Sequence, residues 1–175
     1  MRSHYRAVVI GGGVVGASTL YHLTKMGWKD VVLLEKLEYT SGSTWHAAGL
    51  LPLFNMSYSV GKIHKYSVDL YQSLEEETGQ VVSFHKTGNL RLARNQERMD
   101  EYKRYCGTAS TIGVPFEIIG PQEIKELWPF AKVDDLVGAL YHPDDGHVAP
   151  VDVTMALLKG ARSRGAETYS EVEVT

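Results

Sequence analysis

The run Gly11-Gly12-Gly13-Val14-Val15-Gly16 constrains this chain more than any other stretch. It directly follows Ala7-Val8-Val9-Ile10, an apolar, largely β-branched run of the kind found in strands covered on both faces. From Gly16 to Met26, Ala17, Leu20 and Leu23 recur at helical spacing, and Gly27 stands where a left-handed residue would end a helix. Val31-Val32-Leu33-Leu34 then reads as a second buried strand. The order strand, glycine turn, helix, strand predicts a βαβ unit with parallel strands and a right-handed crossover.

Each glycine of the G-x-G-x-x-G spacing has a physical task. Gly11 permits the tight turn, Gly13 lets a pyrophosphate approach the backbone, and Gly16 allows close packing of helix on sheet. The helix N-terminus receives the phosphate charge. An ordinary glycine-rich turn is the competing reading, and Glu35 decides against it, because an acid at the end of the second strand can accept bonds from both ribose hydroxyls. Its charge repels a 2′-phosphate, so FAD or NAD is favoured over NADP. A merely solvated strand-end carboxylate is the alternative for Glu35.

The chain has 175 residues, 43% of them hydrophobic and 22% charged, enough for a packed core. A formal net charge of −3 offers no basic excess for nucleic acid. The single cysteine, Cys106, excludes an internal disulfide and a four-cysteine zinc site. No apolar run is long enough to span a membrane, and residues 1–6 are too short for a leader. A cytoplasmic bacterial protein is expected, or a processed mitochondrial matrix protein.

Beyond Glu35, a loop from Thr40 to Leu53 is expected, then an amphipathic helix over 59–78 closed by Gly79, with Glu75-Glu76-Glu77 a solvated end. Residues 81–93 alternate around Gly88-Asn89 and predict two strands joined by a tight turn. Asn95 should cap a helix reaching Ile112. A strand over 116–119, a short helix from Pro121, a strand over 137–141, a helix over 152–164 and a strand over 167–175 complete the reading. Most strands in the middle suit a separate antiparallel layer. The fold class is α/β: a Rossmann-like domain with an antiparallel substrate-domain layer begun, divided as 1–55, 56–150 and 151–175. The chain reads as an N-terminal fragment that folds poorly alone.

FAD is separated from NAD by Ser41-Gly42-Ser43-Thr44-Trp45-His46-Ala47-Ala48-Gly49-Leu50, a second set of small donors suited to a long cofactor running past the first helix. With Gly11 to Gly16, Glu35-Lys36, Leu74-Glu75-Glu76-Glu77-Thr78-Gly79 and Asp145-Gly146-His147, this run resembles the dimethylglycine/sarcosine dehydrogenase family of D-amino-acid-oxidase-like flavoproteins, dimethylglycine dehydrogenases most nearly. The resemblance implies that His46 carries the flavin covalently on its 8α-methyl carbon, the imidazole acting as nucleophile. It also implies that Ser43 and Thr44 meet the pyrophosphate, that Trp45 packs beside the cofactor, and that Val14, Val15 and Lys36 lie along the ADP half. The backbone of Val174 should lie near adenine. Core filling for Trp45 and an ordinary buried strand position for Val174 are the alternatives.

The implied activity is oxidative N-demethylation of dimethylglycine to sarcosine, in choline and glycine betaine catabolism. Hydride passes to flavin N5, the one-carbon unit leaves as formaldehyde or goes to tetrahydrofolate in a region beyond these residues, and electron-transfer flavoprotein or oxygen accepts the electrons. Sarcosine dehydrogenase, a related amine oxidase and a non-catalytic regulatory paralogue stay open. No catalytic residue is assigned. His142-Pro143-Asp144-Asp145-Gly146-His147 could suggest a metal, but Pro-Asp-Asp-Gly favours a turn in which Asp bonds its own backbone and Gly takes positive φ. No metal, nucleic-acid or membrane partner is expected.

Overall fold

The computed structural model describes residues 2–175. In chain order its elements begin β1 (Ala7–Ile10), α1 (Val14–Lys25), β2 (Val31–Leu34), a 3-10 turn at Thr44–His46, β3 (Leu50–Leu51) and α2 (Tyr58–Thr78). They continue β4 (His85–Lys86), β5 (Asn89–Ala93), α3 (Gln96–Ile112), β6 (Glu117–Ile119) and α4 (Pro121–Leu127). The last are β7 (Gly138–His142), β8 (Gly146–His147), α5 (Pro150–Ser163) and β9 (Glu167–Tyr169). The chain divides into two units, one holding residues up to Gly49, Leu70–Phe84 and Val148–Thr175, the other Leu50–Asp69 and His85–His147.

The first unit is the expected βαβ extended by one strand. β1 pairs with β2 in parallel, Ala7 opposite Val31, and β2 pairs with β9 in parallel, Val32 opposite Glu167. Ala17, Leu20, Tyr21 and Thr24 form the buried stripe of α1, and the first three share a core with Val153, Ala156, Leu157 and Ala161 of α5. A Cβ on Gly160 would stand 2.9 Å from the Tyr21 ring, so only glycine admits that ring against α5. The Tyr21 hydroxyl donates to Glu77, which also pairs with Arg164. Glu75 accepts from the Val82 amide at 3.2 Å. Glu75 and Glu77 are therefore partnered rather than simply solvated, because the chain returns across the end of α2, while Glu76 is exposed.

Three boundaries shift for local reasons. α1 starts at Val14 rather than Gly16, since Gly13 is already the extended residue before the helix. α5 starts at Pro150, where a missing amide hydrogen costs nothing. β9 stops at Tyr169, and Glu171 takes φ +58°.

In the second unit β8 lies between β3 and β4, all antiparallel, and β7 lies between β5 and β6, also antiparallel. The hairpin expected over 81–93 does not form. β4 pairs with β8 and β5 with β7, in different sheets. Gly88 still takes φ +70°, with the Tyr141 ring 2.7 Å from where its Cβ would be, so the glycine serves a sheet crossing. Asn95 caps α3 by accepting from the Arg98 amide, and Gly113 ends it in left-handed geometry. Tyr102 and Tyr105 of α3 are buried.

The Pro143–Asp144 turn is present, but its details differ from expectation. Asp145 bonds the distant Leu53 amide at 2.9 Å, not its own backbone. Gly146 is not among the positive-φ glycines; it is required because a Cβ would stand 2.3 Å from the His85 carbonyl oxygen.

Candidate cofactor-binding site

The site in the first unit is built on the glycine turn. Gly11 takes φ +106° as the chain leaves β1, and its amide donates to the Leu34 carbonyl, extending the β1–β2 pairing by one bond. The Gly12 amide donates to Glu35 Oε2 at 2.6 Å, and a Cβ there would meet the Tyr39 ring at 2.7 Å. A Cβ on Gly16 would stand 1.9 Å from the Gly11 carbonyl oxygen, so the first turn of α1 lies directly on the turn that precedes it.

The second wall is the loop after β2. The Thr40 amide donates to the Gly12 carbonyl at 3.1 Å, and Thr44 Oγ1 accepts from the Val14 amide at 3.0 Å. Gly13 has no side chain with which to cap α1, so Thr44 supplies the cap from thirty residues away. Thr44 Oγ1 is also 2.9 Å from the position of a Cβ on Gly13, so that slot admits backbone only.

Glu35 accepts a second bond, from the Leu37 amide at 2.9 Å. The Gly12 amide first, then the Leu37 amide, hold its carboxyl below the usual carboxylate range, so it is ionised at neutral pH. Two oxygens present about four lone-pair positions, which leaves acceptor capacity for ribose hydroxyls.

Between these walls lies a cavity of ≈650 Å³, bordered by Gly11, Gly13, Val14, Val15, Gly16, Glu35, Lys36, Gly42, Ser43 and Thr44. A second cavity of ≈310 Å³ shares Ile10, Gly11, Glu35 and Lys36 with it and adds Val172, Glu173 and Val174. The glycine cradle, the ionised acid and the helix N-terminus fit a dinucleotide.

Other expected positions do not border the larger cavity. Trp45 is 58% exposed, which removes core filling as its role, and its Nε1 donates to the Ser41 carbonyl. The His46 ring is exposed, 3.8 Å from the Trp45 ring between centroids, with Nδ1 3.1 Å from the Gly42 carbonyl oxygen. Ala47 and Ala48 are exposed. Gly49 takes φ +73°, and a Cβ there would stand 2.1 Å from the Val148 carbonyl oxygen. Leu50 lies on β3 in the second unit. Val174 is 48% exposed and lies beyond β9, so it is not a buried strand residue.

Several cavity residues escaped the sequence reading. Thr19 stands one helical turn beyond Gly16, a spacing that could have flagged it. Gly12, the middle glycine, lines neither cavity and is required by the close approach of Tyr39. Val172 and Glu173 carry no local signal and arrive through the bond from the Val172 amide to the Glu35 carbonyl.

This fold and site define a dinucleotide-binding α/β protein. The chain belongs to the FAD dependent oxidoreductase family, which it matches over residues 6–175. It is 51% identical over 158 residues to rat mitochondrial dimethylglycine dehydrogenase, covering 90% of this chain and 18% of that protein. It is 41% identical to the mouse pyruvate dehydrogenase phosphatase regulatory subunit, covering 97% of this chain and 19% of that protein. Among solved structures it superposes on L-proline dehydrogenase from P. horikoshii with a TM-score of 0.91 at 31% identity, covering all of this chain and 46% of that one. The chain thus spans about a fifth of the length of these two curated relatives. Among the described residues no helix is long and apolar enough to cross a membrane.

Proposed function

We propose that these residues are the FAD-binding N-terminal part of an amine-oxidising flavoenzyme that converts dimethylglycine to sarcosine. The observation that carries this reading is the wall shared by the two cavities, where the glycine turn, Glu35 and Lys36 adjoin both the Ser43–Thr44 loop and Val174. Similarity to the rat dimethylglycine dehydrogenase supports the choice of substrate class.

In this reading the Gly13 backbone and the start of α1 receive the diphosphate, with Ser43 and Thr44 beside it. Glu35 accepts the ribose hydroxyls, and Val174 lies along the adenine. When bound, the flavin supplies the two-electron acceptor for oxidation of the substrate's N-methyl carbon. His46 is the attachment residue. Its Nδ1 faces a carbonyl oxygen, which cannot donate, so Nδ1 carries the proton and Nε2 keeps the lone pair a nucleophile needs. The rest of the full-length protein would take the one-carbon unit, as formaldehyde or on tetrahydrofolate, and pass electrons to electron-transfer flavoprotein or oxygen. The compartment would be the mitochondrial matrix in a eukaryote and the cytoplasm in a bacterium.

Acid denaturation of the full-length protein tests the attachment. Yellow, fluorescent flavin should stay with the precipitated polypeptide, and flavin released to the supernatant would refute the His46 linkage. His46→Ala should leave flavin bound but extractable, with slower turnover. A regulatory, non-catalytic reading draws on the mouse phosphatase regulatory subunit. It predicts a native protein without amine-dependent flavin reduction, and stopped-flow absorbance with dimethylglycine separates the two.

A further inference from the structure

A cluster in the second unit, outside the cofactor-binding site, holds the chain just after β3. The Leu53 amide donates to Asp145 Oδ1 at 2.9 Å, and the Leu53 carbonyl accepts from the Tyr105 hydroxyl at 3.2 Å. His142 Nε2 lies 3.1 Å from that same hydroxyl. The guanidinium of Arg91 stacks on Phe54, 4.4 Å from its ring centre, and Phe54 in turn lies against Tyr105. Along the strand register Asn89 faces His142 and Arg91 faces Leu140, so Arg91 and His142 are diagonal neighbours on one face of the sheet.

Three atoms of this cluster are buried and have no hydrogen-bond partner among the described residues: Arg91 Nε, His142 Nδ1 and Asp145 Oδ2. His142 is fully buried and Asp145 is 1% exposed. Leaving a buried polar atom without a hydrogen bond is costly, so three together call for a ligand.

The hydrogen-bond roles identify it. The Tyr105 proton is committed to the Leu53 carbonyl, so His142 Nε2 must carry a proton and donate it to the tyrosine oxygen. Nδ1 is then an acceptor. The site therefore offers two acceptors, His142 Nδ1 and Asp145 Oδ2, and one donor, Arg91 Nε–H. An anion has no proton for either acceptor, and a metal ion cannot accept from the guanidinium. A water molecule has two donors and a spare lone pair, and internal waters make about three hydrogen bonds.

We propose that a single internal water bridges Asp145, His142 and Arg91, joining them into one clasp on the Leu53 peptide. The test is a crystal structure of the full-length protein at a resolution that shows ordered solvent. One peak within hydrogen-bonding distance of all three atoms is expected, whereas a dry cluster or direct contact between the side chains would overturn the proposal. Asp145→Asn, which still offers Leu53 an acceptor, should keep the peak. His142→Phe replaces the ring nitrogens with carbon and should lose it. A peak that persists unchanged in His142→Phe would also overturn the assignment.

Discussion

Gly16 and Gly42 border the same cavity but are glycines for different reasons. A Cβ on Gly16 meets a backbone oxygen at 1.9 Å, while one on Gly42 meets nothing within 4 Å. Gly16→Ala should therefore destabilise the protein by roughly 1–3 kcal/mol and abolish flavin binding, whereas Gly42→Ala should leave thermal midpoint and flavin absorbance near wild type. Two buried groups give a second prediction. Burial pushes the Asp145 carboxyl up to about 6, and burial together with Arg91 brings the His142 imidazole down to about 4. The Asp145 contribution is full below its ordinary value of 3.8 and is lost as pH rises through about 6. That of His142 is full above 6.5 and is lost as pH falls through about 4. Between those limits the two oppose each other. Relative to wild type, Asp145→Asn should make stability fall more steeply on acidification, by at most about 1.4 kcal/mol per pH unit. His142→Asn should shift the slope the other way. Urea midpoints at pH 4, 5, 6 and 7 check both signs.

At the scale of elements, α1 depends on a cap that is not adjacent in sequence. Thr44→Val removes the acceptor for the Val14 amide and should cost about 1 kcal/mol, with weaker flavin retention, while Thr44→Ser should recover most of both. Thermal midpoints of the two variants, with flavin absorbance after gel filtration, measure the difference. The position of α1 itself was legible, because Gly11, Gly13 and Gly16 act through backbone geometry that depends on immediate neighbours. The hairpin was not. Residues 85–93 have the alternation and turn glycine of a local pair, yet their partners are β8 and β7, more than forty residues on. Alternation tells which face of a strand is apolar and nothing about its neighbour. β3 and β8 are two residues each, too short for any period to show.

For the whole molecule, each unit is assembled from separated stretches. In the first, α5 covers α1 with Leu157 fully buried among its core residues. Leu157→Ala should cost about 2–5 kcal/mol by opening a cavity there, read as a lower urea midpoint of the full-length protein, and flavin binding should weaken because α5 supports α1 from behind. The larger cavity was largely legible as well: its glycines, Glu35 and Ser43–Thr44 could be named because each acts through its own backbone or a nearby strand end. Val172 and Glu173 of the smaller cavity could not, since only the return of the chain beyond β9 brings them to Glu35. By itself, then, the sequence determined the βαβ start, the glycine turn and the acid beside it, through torsional freedom and side-chain chemistry acting over a few residues. Tertiary structure alone decided which strands pair, that Thr44 caps α1, and that Asp145 reaches Leu53, because a hydrogen bond between distant residues exists only once packing has brought its two ends together.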